Sequence, residues 1–126
     1  MGGAILASRI FTVAGIYGLC AMVPLYFTEG MIGVNYPPKL THVEYYYGFI
    51  GLAICWQLGF LLIGKDPMRY RPFMVIAVLE KCAFSGAAIA LFLQGRLIPL
   101  SLLGGTIDVV LGTLFIFAFR ATAQRE

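Results

Sequence analysis

Residues 73–93 read FMVIAVLEKCAFSGAAIALFL, a run in which Glu80 and Lys81 are the only charges. At about 1.5 Å per residue, a helix of this length spans the roughly 30 Å hydrocarbon core of a bilayer. An acid and a base thus stand side by side where lipid would otherwise be. At about 100° per residue they straddle one face of the helix. The opposite arc, Val75, Val78, Cys82, Ile89 and Leu93, is wholly apolar and suits lipid. The pair therefore points inward, near Ala77, Ala83, Ser85, Ala87 and Ala88 on the helical wheel, which leave room for a neighbouring helix or a ligand.

The rest of the chain fits the same setting. Of 126 residues, 60% are hydrophobic and 12% charged, and the mean hydropathy is +0.88; soluble domains carry about 25% charged residues. Four apolar runs, 10–27, 45–64, 73–93 and 98–119, each reach the roughly 20 residues that a spanning helix needs. The expected fold is all-α: a polytopic, antiparallel four-transmembrane-helix bundle forming one domain over residues 1–126. Little chain remains for a soluble domain.

The first run reads as a retained helix rather than a signal peptide. One basic residue precedes it, no small-x-small site follows, and it exits through Pro24, Leu25, Tyr26 and Phe27. Leu19 before Cys20 does not suit a lipoprotein site, and the opening MGGAIL lacks the Ser or Thr of a myristoylation signal. Cys20, Cys55 and Cys82 fall one to a span, without the paired spacing of metal or redox sites, and are expected to be small buried hydrophobes.

Charge sets the expected orientation. Arg9, Lys65, Arg69, Arg71, Arg120 and Arg125 lie on the side shared by both termini and the middle loop, against Lys39 and Arg96 on the other. The positive-inside rule puts both termini in the cytoplasm. Lys65, Arg69 and Arg71 are read as topology determinants touching anionic membrane lipid, and nothing suggests nucleic acid. The loop 28–44 contains Gly, Asn, Pro37 and Pro38, and is expected to be extended or interfacial outside the membrane. Tyr26, Phe27, Tyr36, Tyr45, Tyr46 and Tyr47 around it form an aromatic belt. The short connection KDPMRYRP (65–72) predicts that the spans it joins are neighbours.

Small residues mark where helices approach closely: Ala14, Gly18 and Ala21 in the first span, Gly51, Cys55 and Gly59 in the second, and Ser101, Gly105, Asp108 and Gly112 in the fourth. The last stripe puts Asp108 on a packed face. Counting about 1.5 Å per residue from the cytoplasmic ends, Tyr17, Gln57, Glu80 and Lys81 fall roughly 10–12 Å deep, with Asp108 slightly deeper. One polar layer built by four helices is expected. A charge at mid-membrane costs about 2.5–3.5 kcal/mol even on a lenient scale, so Lys81 is expected between Glu80 and Asp108. The excess carboxylate suits a shared proton, a polar anchor for an apolar ligand, or a general acid. The competing reading is a buried network that only fixes helix packing. Trp56 and Tyr17 are packing residues or ligand contacts.

On the outer side, His42 and Glu44 open the second span, with Glu29 and Arg96 as candidate neighbours. Two ligand-type residues do not make a metal site, and none is assigned. His42 is the only histidine, which excludes bis-histidine haem ligation within one chain.

The runs HVEYYYGFIGLAICWQ, KDPMRYRP and LEKCAF, with the length, the four spans, the short loops and the intramembrane polar residues, resemble small bacterial four-helix membrane proteins of the DoxX-like kind. The resemblance implies a bacterial inner-membrane location and a link to quinones or other lipophilic molecules. It carries over no catalytic residue.

The expected function is non-enzymatic. The chain binds a lipophilic small molecule, quinone- or lipid-like, or serves as an accessory subunit of a larger membrane complex. The candidate ligand or relay residues are Glu80, Lys81, Asp108, Gln57, Tyr17 and Trp56. The alternatives are a membrane enzyme using buried carboxylates on a lipid-soluble substrate and a proton-coupled transporter, as a homo-oligomer. No cofactor is expected beyond a bound quinone or lipid.

Overall fold

The computed structural model describes residues 2–123 and contains five α-helices. They are α1 (Gly2–Met22), continued by a 3-10 segment (Val23–Phe27), α2 (Glu29–Asn35), α3 (Val43–Lys65), α4 (Arg71–Leu93) and α5 (Pro99–Ala121). Four of them, with α1 counted through Phe27, are long and apolar enough to cross a membrane. This is the build of a multi-pass membrane protein. Pro72 and Pro99 stand in the first turns of α4 and α5, where a missing N–H costs nothing. Gly95 closes α4 at φ +68°, a conformation that only glycine adopts without strain. Arg125 lies outside the described residues.

Two boundaries differ from expectation. The first long helix begins at Gly2 rather than near residue 10, and the added stretch is packed: the Ser8 hydroxyl donates to the Gly64 carbonyl at 2.6 Å. The loop 28–44 holds a two-turn helix, α2, before its prolines. Both prolines follow Asn35, so the first half of the loop is free to coil, and the Tyr36 N–H closes the helix on the Ile32 carbonyl at 2.8 Å.

The long helices pack in the order α3, α1, α5, α4, with α1–α3 and α4–α5 the most extensive pairs. Three contacts gather the start of α1, the end of α3, the start of α4 and the end of α5 at one end of the bundle. They are the Ser8–Gly64 bond, the 3.1 Å bond from the Arg71 guanidinium to the Phe119 carbonyl, and the packing of Gly3 on the Ala121 carbonyl. At the other end, Tyr46 donates to the Leu25 carbonyl at 2.6 Å and Tyr26 stacks on Tyr47. The centre is aromatic. Phe11, Phe60 and Phe115 are fully buried, with Phe11 stacked on Phe115 at 4.2 Å and Phe60 edge-on to it at 4.9 Å. Ala7, Ala14, Ala77 and Ala118 fill the gaps between rings and backbones.

The small-residue stripes divide. On α5, Gly105 and Gly112 are buried against α4, where an added Cβ would lie 2.7 Å from the Ala88 Cβ and 3.2 Å from the Lys81 Cβ. Gly18 on α1 is packed on Gln57. On α3 only the first member of the stripe packs: an added Cβ at Gly51 would lie 3.2 Å from the Tyr26 hydroxyl, whereas Cys55 is exposed and an added Cβ at Gly59 would meet nothing within 4 Å. Ala53, Gln57, Phe60 and Gly64 form the buried face of that helix instead. All three cysteines, expected to be buried, are exposed; a thiol is apolar enough to face lipid.

The faces of α4 also need correction. Val75, Cys82, Ile89 and Leu93 face outward as expected, but so do Ala83 and Ala87, while Val78, expected to face lipid, packs against the core, and Met74, Ala77, Lys81, Ser85 and Ala88 are buried. Ile89→Val and Ala87→Leu are both expected to shift unfolding in detergent by less than about 0.5 kcal/mol. Ala88→Leu, facing Gly105, is expected to cost about 1–3 kcal/mol by overpacking. Thermal unfolding of the three variants checks this, and an equal loss at Ala87 and Ala88 contradicts the assigned faces.

Candidate functional site

Helix α4 presents Lys81 to α5 because Lys81 shares the buried stripe of Met74, Ala77, Ser85 and Ala88. Gly112 makes this possible, since any side chain there would crowd the lysine stem. The Lys81 Nζ donates to Asp108 Oδ1 at 3.1 Å and lies 3.4 Å from Glu80 Oε2. The side chains are 6% (Lys81), 15% (Asp108) and 20% (Glu80) exposed. The lysine thus stands between two carboxylates within the bundle. Ser85 donates to the Lys81 carbonyl at 2.7 Å, and the ammonium also sits 5.1 Å from the centre of the Phe60 ring, within cation–π range.

Glu80 is the least satisfied member. Its Oε2 is buried and ion-paired with the Lys81 ammonium at 3.4 Å, but forms no hydrogen bond among the described residues. Removing this much charge from water is costly, and the attraction within the triad offsets the cost only where hydrogen bonds complete it. Here one carboxylate is left incomplete.

The expected single layer is narrower than four helices. Gln57 is buried, but its amide donates to the Ala53 carbonyl of its own helix at 3.0 Å, and its side chain packs on Gly18. It does not join the charges. Tyr17 is 43% exposed and faces away from them. Trp56 is half-buried, 6.2 Å from the Phe60 ring, and so reaches Lys81 through Phe60. Phe60 and Ser85 complete the site. Phe60 is legible in hindsight as the residue one turn on from Gln57 along the same buried stripe.

Because α3 and α4 share few contacts, an apolar groove of about 270 Å³ opens between them, lined by Leu52, Cys55, Trp56, Gly59, Tyr70 and Phe73 among others. Tyr70 and Phe73 mark its loop end. Trp56 lies seven residues before Ile63, and Glu80 seven residues after Phe73, so the Trp56 part of the groove is level with the charges, none of which lines it. A second hollow, of about 320 Å³, lies beside α2, between Glu29, Gly33, Val34 and Lys39. It belongs to the outer loop and touches none of the buried charges.

The outer candidates do not converge. His42 pairs with Glu44 at 3.4 Å in an exposed position, Glu29 accepts from Tyr47 at 2.7 Å, and Arg96 pairs with Gln94 at 3.0 Å. Among the described residues, no group of three or more His, Cys, Asp or Glu is placed to hold a metal ion.

The fold and site define a helical membrane bundle with a charged triad in its interior. Comparison with protein-family models, with curated proteins and with solved structures returned no match.

Proposed function

We propose that this protein binds a lipophilic small molecule in the groove between α3 and α4, and performs no chemistry on it. The observation that carries this reading is an apolar slot between α3 and α4 that runs past the level of the buried charges, with Trp56 in its wall at that level. Its volume, just under the roughly 300–1,000 Å³ of enclosed ligand pockets, suits one chain or ring system rather than a helix. Quinone- or lipid-like molecules, as in the DoxX-like resemblance, are the ligand class.

Trp56 is the only tryptophan of the chain and lines the groove, so its fluorescence reports occupancy. Native lipid extract added to protein stripped of lipid is expected to shift the Trp56 emission. Gly59→Leu, which puts a side chain into the groove, is expected to abolish the shift without unfolding the protein. A full response in Gly59→Leu excludes the groove as the site.

The same reading sets the protein in a bacterial inner membrane, with antiparallel spans and both termini cytoplasmic. Arg9, Lys65, Arg69, Arg71 and Arg120 support it, since all stand at or near the helix ends gathered at one end of the bundle. In a background with Cys20, Cys55 and Cys82 replaced, a cysteine at Asn35 is expected to react with an impermeant reagent in intact cells. One at Met68 is expected to react only after the membrane is opened. Labelling at Met68 in intact cells reverses the orientation.

A second reading, an accessory subunit of a larger membrane complex, is favoured by one observation. An added Cβ at Gly48 or Gly86, neither of which lines the groove, would meet nothing within 4 Å, and open small residues invite another helix. Co-purification of a larger chain that is lost in Gly86→Leu but kept in Gly59→Leu separates this reading from the first.

A further inference from the structure

At its loop end the groove between α3 and α4 meets positive charge that lacks an acidic partner. Leu62, Tyr70 and Phe73 line that end. Lys65 stands one turn on from Leu62, on the same face of α3. The guanidinium carbon of Arg69 lies 5.6 Å from the centre of the Tyr70 ring, so a second cation rests against a wall of the groove itself. Arg9, Lys65, Arg69, Arg71 and Arg120 share this end of the bundle with one carboxylate, Asp66, and none of the five forms a salt bridge among the described residues. Asp66 instead accepts from the Arg69 backbone N–H at 3.2 Å and shapes the loop. Arg71 is engaged by α5, its guanidinium 3.8 Å over the Phe119 ring and bonded to the Phe119 carbonyl. Lys65 and Arg69 are exposed. A quinone or a neutral lipid leaves these two charges unanswered, whereas a phosphate answers both, since ammonium and guanidinium are its usual partners. From Leu62 back to Leu52 the lining follows α3 for about 15 Å, a stretch suited to a fatty-acyl chain.

We infer that the groove takes an anionic phospholipid, one acyl chain between α3 and α4 and its phosphate on Lys65 and Arg69. This step rests on the groove reading above and narrows its ligand from quinone- or lipid-like molecules to one headgroup chemistry.

The test uses phosphatidylglycerol and phosphatidylcholine with the same brominated acyl chains, each titrated as a fraction of unbrominated phosphatidylcholine in nanodiscs holding the full chain. The readout is quenching of Trp56, the only tryptophan. Phosphatidylglycerol is expected to quench at a mole fraction at least about tenfold lower, the size of two cations near an anionic head. Arg69→Gln and Lys65→Gln are each expected to cut that preference by about fivefold, and together to remove it. Arg120→Gln takes an equal charge from α5, which does not line the groove, and is expected to leave the preference within about twofold. An equal loss in Arg120→Gln means diffuse surface charge and overturns the headgroup site. Inorganic phosphate, matched in ionic strength by chloride, is expected to leave the preference unchanged; its loss there makes soluble phosphate the occupant and overturns the lipid assignment. Equal quenching by the two lipids that Gly59→Leu weakens overturns the phosphate assignment and leaves the groove reading. Quenching that Gly59→Leu leaves unchanged removes the groove reading and the phospholipid with it.

Discussion

Lys81→Met is expected to lower stability in detergent by about 3–5 kcal/mol, the cost of breaking a buried ion pair from one side. Methionine keeps the length of the stem and its packing against Gly112, so the variant removes charge rather than volume. It leaves Glu80 and Asp108 facing each other across a site where the lysine side chain was 6% exposed, and neither carboxylate has another cation within salt-bridge distance among the described residues. The loss then comes from two stranded acids. Lys81→Met combined with Glu80→Gln and Asp108→Asn is accordingly expected to recover most of the stability, with a non-additivity of the size seen within one charge network. Thermal or denaturant unfolding of wild type, single and triple variants measures the cycle. A silent Lys81→Met means that the lysine extends to the bundle surface in the membrane and that the network does not form. The triple variant also separates roles. If it is stable and still shifts Trp56 emission with lipid extract, the triad only fixes helix packing; if it is stable and silent, the triad is part of the site.

The network was legible in the sequence for a specific reason. Glu80, Lys81 and Asp108 are so costly in hydrocarbon that pairing was the only economical arrangement, and the Gly105–Asp108–Gly112 stripe named the face on which α5 meets α4. The four spans were legible on the same ground, since apolar runs of that length have few other uses. What depth could not supply was direction around the helix axis. Gln57 and Tyr17 share the level of the charges, yet Gln57 turns to Gly18 and Ala53 and Tyr17 turns outward. Beyond Gly51, which packs on Tyr26, the stripe of Cys55 and Gly59 misled for a related reason: small residues permit close approach without requiring it. The groove was hidden because it arises from an absence of contact between α3 and α4, and a short connecting loop suggests the opposite.

Gly64→Leu and Gly59→Leu place the same side chain on the same helix and are expected to have opposite consequences. Gly64 is buried where α1 crosses α3: an added Cβ would collide with the Thr12 hydroxyl and lie 3.0 Å from the Thr12 backbone nitrogen and 3.2 Å from the Ser8 carbonyl oxygen. Two of these three neighbours are backbone and cannot rotate away. A leucine must therefore push α1 off α3, breaking the 2.6 Å bond from Ser8 to the Gly64 carbonyl and opening the most extensive packing that α1 makes. The expected cost is at or above the upper end of the roughly 1–3 kcal/mol typical of overpacking, seen as a lower melting temperature and loss of monodisperse protein in detergent. Gly59, just over one turn earlier, has open space before it, and replacing glycine inside a helix tends to gain about 0.5–1 kcal/mol from reduced backbone freedom. Gly59→Leu is expected to match or exceed wild-type stability while losing the Trp56 response. Gly64→Ala should be milder, and Gly64→Ala with Thr12→Ala milder again, since the second change removes the hydroxyl but not the backbone neighbours. A Gly64→Leu protein as stable as wild type would show that α1 and α3 are not in backbone contact at this level, and the path by which Ser8, Thr12 and Gly64 anchor that end of the bundle would have to be redrawn.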